Sequence, residues 1–160
     1  VGEIDPADQA MLDDCEAALW AGIAQARPGN RLGDISHAVE RSVRGAGQYG
    51  LIREYTGHGI GTAMHMDPPV PNYGAAGQGP RLRAGMALAI EPMITRGGER
   101  TVELADGWTV VTLDGSRAAH FEHTVAITAA GPWVLTDLSE RKVPPPDRVT
   151  SVAGGDPDAG

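Results

Sequence analysis

One histidine and two glutamates stand in three short motifs of the 160-residue chain: His58 in Gly57-His58-Gly59-Ile60-Gly61, Glu91 in Ile90-Glu91-Pro92-Met93, and Glu122 in Phe121-Glu122-His123-Thr124. Carboxylate oxygens suit hard divalent ions, and an imidazole shifts the preference toward first-row transition metals, so the set reads as part of a mixed metal site. A second imidazole, His65, lies just beyond the first motif. A partly exposed histidine beside a metal can bind a substrate carbonyl or move a proton. Glycines around His58 let the backbone turn tightly and bring the ring close to a ligand; the competing reading is a ring satisfied by a backbone carbonyl.

Glu91 falls in an otherwise apolar run, where a buried carboxylate is costly unless it is paired or ligates a metal. An ion pair with Arg96 or Arg100 would also satisfy it. Glu122, between Phe121 and Val125 in a second apolar run, repeats the case, and two carboxylates on neighbouring strands repel unless a cation lies between them. Trp108, after Asp106-Gly107, either lines a pocket or packs in the core or at the sheet edge, and Met64 and Met93 are open in the same way. Cys15 reads as a small core residue of a helix, His37 as a helix-surface residue, and His120 and His123 as structural residues or partners of ligands. The sequence has no Gly-rich phosphate loop at a strand-to-helix junction and no Gly-x-Ser-x-Gly elbow.

These residues need elements to hold them. Asp5-Pro6 is a helix-start signature, and Met11, Leu12, Cys15, Leu19, Gly22, Ile23 and Ala26 recur at helical spacing, which predicts a helix over residues 6–26. Pro28-Gly29 ends it, and Leu32, Ile35, Ala38, Val39, Val43 and Ala46 predict a second amphipathic helix. A short strand is predicted over 51–55, and the glycines at 57, 59 and 61 argue against a helix through the His58 motif. Residues 66–85, rich in Pro and Gly, predict a long loop. A strand is predicted over 86–95 with Ala87, Ala89, Glu91 and Met93 on one face, so Glu91 shares its face with small residues. Further strands are predicted over 108–113, 119–128 and 133–136, separated by Asp106-Gly107, Asp114-Gly115 and Gly131-Pro132 turns. Two helices followed by a mostly antiparallel sheet make an α+β arrangement. Residues 139–160, dominated by Pro, Gly and Asp, predict a disordered tail.

The length fits one domain. With 13 Lys and Arg against 21 Asp and Glu, the formal charge is -8, which argues against nucleic acid or an anionic membrane as a direct partner. Cys15 is the only cysteine, which excludes an internal disulfide and a thiolate zinc cluster and fits a cytoplasmic setting. No apolar run approaches the ~20 residues that span a bilayer, and the acidic amino-terminal segment does not read as a secretory signal. A first residue of Val1 rather than Met fits a chain that has been cropped or processed.

Four motifs in order, Gly57-His58-Gly59-Ile60-Gly61 with His65 and Pro68, Ile90-Glu91-Pro92-Met93, Asp106-Gly107-Trp108-Thr109 and Phe121-Glu122-His123-Thr124, resemble the type I methionine aminopeptidases of the pita-bread metallopeptidase family. The resemblance covers about residues 1–137, and Asp-Gly-Trp-Thr favours these enzymes over prolidase or aminopeptidase P. It implies a partial pita-bread (creatinase/aminopeptidase) fold over residues 1–138. It also implies two divalent ions per complete site (Co, Mn, Fe or Zn), with His58 and Glu91 on one and Glu122 bridging both. By the same resemblance, Glu91 accepts the proton of a metal-bound hydroxide's attack, and His65 contacts the scissile carbonyl or the developing charge. Trp108 and Met64 border the pocket for methionine, Met64 standing where many relatives have Phe. The partners implied are amino-terminal Met peptides of nascent proteins, with transient proximity to the ribosome.

The family's two aspartates on an earlier hairpin, and a histidine before them, have no counterpart here, since Asp8, Asp13 and Asp14 belong to a predicted helix. The expectation is therefore a carboxy-terminal portion, inactive by itself, with exposed strand edges and a one-sided core that weaken it. Two alternatives share the fold: a non-catalytic module that binds peptides or proteins, and another hydrolase such as an Xaa-Pro peptidase.

Overall fold

Asp5 accepts a 2.7 Å hydrogen bond from the Ala7 N–H, and Pro6 sits in the first turn, so helix α1 (Pro6–Ile23) starts where the sequence predicts. It stops three residues short of the predicted end. The Gln25 and Ala26 amides turn back onto the Gly22 and Ile23 carbonyls, tightening the chain ahead of Pro28. Helix α2 (Leu32–Ala46) follows, its start fixed by the Asp34 carboxylate accepting from the Arg31 N–H at 2.7 Å. The helices cross closely because residue 22 is glycine: a Cβ there would lie 2.7 Å from Val39 Cγ2. These are the opening elements of a computed structural model that describes residues 2–138. The predicted tail at 139–160 lies outside the described residues.

Ten short strands follow: β1 (Gly50–Leu51), β2 (Gly57–Ile60), β3 (Met66–Val70), β4 (Ala87–Ile90), β5 (Met93–Thr95), β6 (Thr101–Glu103), β7 (Val110–Thr112), β8 (Ala118–His120), β9 (His123–Thr128) and β10 (Gly131–Val134). They form a five-stranded sheet in the order β10-β9-β4-β2-β3, a three-stranded sheet β1-β5-β8, and a separate β6-β7 ribbon. Every pairing among them is antiparallel, and β2-β3, β6-β7 and β9-β10 are hairpins with short connections.

The core lies between helices and sheets. Leu19 and Ile23 of α1 and Leu32 and Ile35 of α2 pack with Val70, Leu88, Ile90, Val125 and Ile127 of the large sheet. Met11, Cys15 and Ala18 of α1 and Val39 and Val43 of α2 pack with Leu51, Ile94 and Ala119 of the small one. Phe121 touches both clusters and joins them. Each fully buried Leu or Ile here contributes roughly 1.5–3 kcal/mol.

Several elements differ from the sequence-based expectation. Of the strand predicted over 51–55, only Leu51 falls in a strand, β1, which pairs Gly50 and Leu51 with Thr95 and Ile94; the Ile52 N–H still donates to the Met93 carbonyl at 3.1 Å. The loop predicted over 66–85 begins instead with β3, an edge strand, where prolines 68 and 69 are tolerated because one side of the strand needs no partner. Further along it, Leu82 is buried, and its N–H donates to the Asn30 carbonyl at 2.8 Å. The strand predicted over 86–95 is split into β4 and β5 at Glu91-Pro92, and the one predicted over 119–128 is split into β8 and β9 at Phe121-Glu122. Both interruptions occur at the same level because Pro92 has no N–H to donate. Strand β6, which pairs with β7, was not anticipated, and the ribbon they form leaves Val102, Leu104, Trp108, Val110, Val111 and Leu113 exposed.

Candidate metal centre

The interruption at Pro92 does not disturb the strand register. Ile90 faces His123 in β4-β9 and Met93 faces His120 in β5-β8, so the same register sets Glu91 opposite Glu122 and Pro92 opposite Phe121. The Phe121 N–H donates to the Pro92 carbonyl at 3.3 Å, which carries the pairing across the gap. On the other side of β4, His58 faces Ala89, two residues before Glu91 and on the same pleat face. Three separate motifs thereby deliver their side chains to one place. One ligand atom each from His58, Glu91 and Glu122 can be chosen so that all lie within 4.8 Å of one another.

Glycines make this approach feasible. A Cβ at Gly57 would strike the Ala89 carbonyl, and one at Gly59 the Asp67 carbonyl, so β2 can lie this close to β4 and β3 only without side chains there. Asn72, 1% exposed, donates from Nδ2 to the Glu91 carbonyl at 3.0 Å and fixes the backbone that carries the carboxylate.

The ring of His58 is oriented by its own neighbour. Nδ1 lies 2.9 Å from the Gly59 carbonyl oxygen, which can only accept, so Nδ1 carries a proton and Nε2 is the nitrogen turned toward the carboxylates. It faces Glu91 Oε1 at 3.7 Å. An imidazole nitrogen and two carboxylates gathered in this way are a donor set that suits a divalent cation. The backbone carbonyl satisfies only one His58 nitrogen, and Arg96 turns to Asp8 at 2.9 Å and Asp5 at 3.9 Å rather than to Glu91. Glu91 is instead flanked by imidazoles, with His120 Nε2 3.4 Å from Oε2.

Burial differs from the expectation for one carboxylate. The Glu91 side chain is 13% exposed, but Glu122 is exposed, because it sits in the two-residue link between β8 and β9 rather than inside a strand. His65 is also exposed, and its ring centroid lies 4.2 Å from that of His58. Met64 and Trp108 are 71% and 87% exposed, which removes core packing as an account of either. Asp106 holds the Trp108 turn. It accepts from the Thr109 hydroxyl and from the Thr109 and Trp108 amides, bonds that draw its carboxyl below the usual range. Cys15 is buried as expected, and that burial pushes its thiol up to about 12.

Residues 1–129 match the model of metallopeptidase family M24. The chain belongs to that family. This M24 chain is 53% identical over 141 residues to methionine aminopeptidase 1 of Mycobacterium tuberculosis (strain CDC 1551 / Oshkosh), a match covering 85% of the chain and 53% of that protein. It is 49% identical over 136 residues to methionine aminopeptidase 1 of Bacillus subtilis (strain 168), covering 85% and 54%. The crystal structure of methionine aminopeptidase from Thermotoga maritima is similar at a TM-score of 0.82 and 48% identity, covering 86% of this chain and 55% of that one. The M24 chain thus spans about half the length of the relatives it matches. It shares their α+β pita-bread fold, and membership of a metallopeptidase family accords with a donor set suited to divalent metal ions. No helix among the described residues is long and apolar enough to cross a membrane.

One residue near the centre, Asn72, was not singled out by sequence reasoning. Asn72 lies in the Pro- and Gly-rich segment with no distinguishing motif. His120, read from the sequence as a structural residue or a partner of a ligand, precedes Glu122 by two, and its Nε2 lies 3.4 Å from Glu91 Oε2.

Proposed function

We propose that this chain contributes His58, Glu91 and Glu122 to the divalent-metal centre of an aminopeptidase that removes the initiator methionine from nascent proteins in the cytoplasm. The convergence of one imidazole nitrogen and two carboxylates is the observation that carries the reading. A bound divalent ion supplies Lewis acidity, acidifying water and polarising a peptide carbonyl. His58 binds through Nε2, with Nδ1 held by Gly59. Glu91 would help hold the ion and would accept a proton from the attacking water. Glu122 would close the set and, in a complete site with two ions of Co, Mn, Fe or Zn, would be shared between them. His65, exposed and beside His58, meets the scissile carbonyl. Met64 and Trp108, exposed in this chain, border the methionine side chain. The substrates are amino-terminal Met peptides met close to the ribosome.

The test is calorimetric titration with Mn²⁺ of the chain and of its His58→Ala and Glu122→Gln variants, with methionine release from a Met-Gly peptide followed in parallel. The chain holds three of the five ligands the family resemblance implies, so weak binding of one ion, lost in both variants, and negligible turnover are expected. Absence of binding overturns the metal site. Methionine release by the chain alone at an ordinary enzymatic rate overturns the ligand assignment.

A further inference from the structure

We propose that His120 is a positioning residue for Glu91, holding carboxylate oxygen Oε2 so that Oε1 stays turned toward His58 and Glu122. The inference rests on the metal-site reading and adds a residue to it. His120 Nε2 lies 3.4 Å from Oε2, while Oε1 faces His58 Nε2 at 3.7 Å, so the two imidazoles address different oxygens of one carboxylate. The shared register makes His120 the diagonal cross-strand neighbour of Glu91, on the same pleat face, a separation that long side chains bridge.

The backbones that carry the pair are fastened together at this point. Phe121 N–H donates to the Pro92 carbonyl at 3.3 Å, and the Cys15 thiol, reaching from α1, lies 3.4 Å from the Pro92 carbonyl and 3.6 Å from the Ala119 carbonyl. Those carbonyls belong to the residue after Glu91 and the residue before His120. Asn72 holds the Glu91 carbonyl itself. The Glu91 backbone and its outer oxygen are thus both held, and the inner oxygen is left for a ligand. His120 also lines an apolar cleft of about 270 Å³ together with Ile52, Tyr55, Met93 and Val110. The side chain is 47% exposed, so the hydrophobic core does not account for a histidine here.

A donor that orients a ligating carboxylate changes metal affinity without touching the metal, commonly by 10- to 100-fold. Mn²⁺ affinity is measured by calorimetry for the unaltered chain and for His120→Ala, His120→Gln and Glu91→Gln, with circular dichroism confirming that each is folded. Affinity should fall about tenfold in His120→Ala. It should recover in His120→Gln, whose amide can donate to Oε2, and fall furthest in Glu91→Gln. In the ion-free chain, at a pH where the ring is neutral, imidazole ¹⁵N shifts should show the proton of His120 on Nε2. Unchanged affinity in His120→Ala, a His120→Gln variant no tighter than His120→Ala, or a proton on Nδ1 overturns the positioning role and leaves the metal site standing. Failure of the unaltered chain to bind Mn²⁺ overturns the metal-site reading and this role with it.

Discussion

Replacing Glu122 by Gln should stabilise the ion-free chain while abolishing its stabilisation by metal. The Glu91 and Glu122 carboxylates lie within 4.8 Å of each other. Two unit charges at that distance repel by about 0.9 kcal/mol in water and about 3.5 kcal/mol at an effective dielectric of about 20. Glu122 is exposed, which places the pair near the lower figure, so the neutral isostere should add about 1 kcal/mol. For a chain of this length that raises the melting temperature by roughly 2–4 °C. In the unaltered chain, a divalent ion at about 100 times its dissociation constant should add about 2.7 kcal/mol, and the variant should lose most of this. Thermal unfolding followed by circular dichroism, with and without Mn²⁺, reads both effects. A Glu122→Gln chain that melts lower than the unaltered one without metal, or that still gains the full increment with metal, would refute the reasoning.

Gly57→Ala drives a methyl group into the Ala89 carbonyl between β2 and β4. It should cost about 1–3 kcal/mol in denaturant unfolding and weaken Mn²⁺ binding, because His58 moves with β2. Leu19→Ala, at a side chain 1% exposed in the larger core cluster, should cost 2–5 kcal/mol by the same assay with metal affinity little changed. Asp114 accepts from the Gly98 and Ser116 amides, and these bonds, with the Ser116 side chain close by, lower its carboxyl from 3.8 to about 2. Its folded value lies below its unfolded one, so its contribution is present above about 4 and is lost as pH falls through about 2. The Gly98 amide resonance should titrate with a midpoint near 2, and a midpoint at 3.8 would contradict the assignment.

Helices were the most legible part of the fold because their signals are local. Asp5-Pro6 and the apolar stripe from Met11 to Ile23 specify α1 with no knowledge of what packs against it. Strand β3 was hidden because Pro68 and Pro69 forbid a central strand, and nothing local says that this one lies at an edge. Strand β6 was hidden for a related reason: Thr101–Glu103 gains its conformation from pairing with β7. Trp108 invited a reading as a packed aromatic, but its 87% exposure follows from the ribbon's position, which is a tertiary fact.

The centre was legible because its motifs carry strand periodicity as well as chemistry. Ala87, Ala89 and Glu91 alternate onto one face, and His120 and Glu122 do so on the partner. What the sequence could not supply is that one register runs through both interruptions and sets Glu91 against Glu122. Pro92 then has a structural consequence beyond ending β4. By interrupting the regular ladder at that level while its carbonyl still accepts from Phe121, it lets both glutamates leave the sheet without the two chains separating. The result is two carboxylates within 4.8 Å of each other, with His58 Nε2 beside one oxygen of Glu91 and His120 Nε2 beside the other. In such an arrangement a bound cation would relieve repulsion between the carboxylates while the backbones that carry them stay fixed.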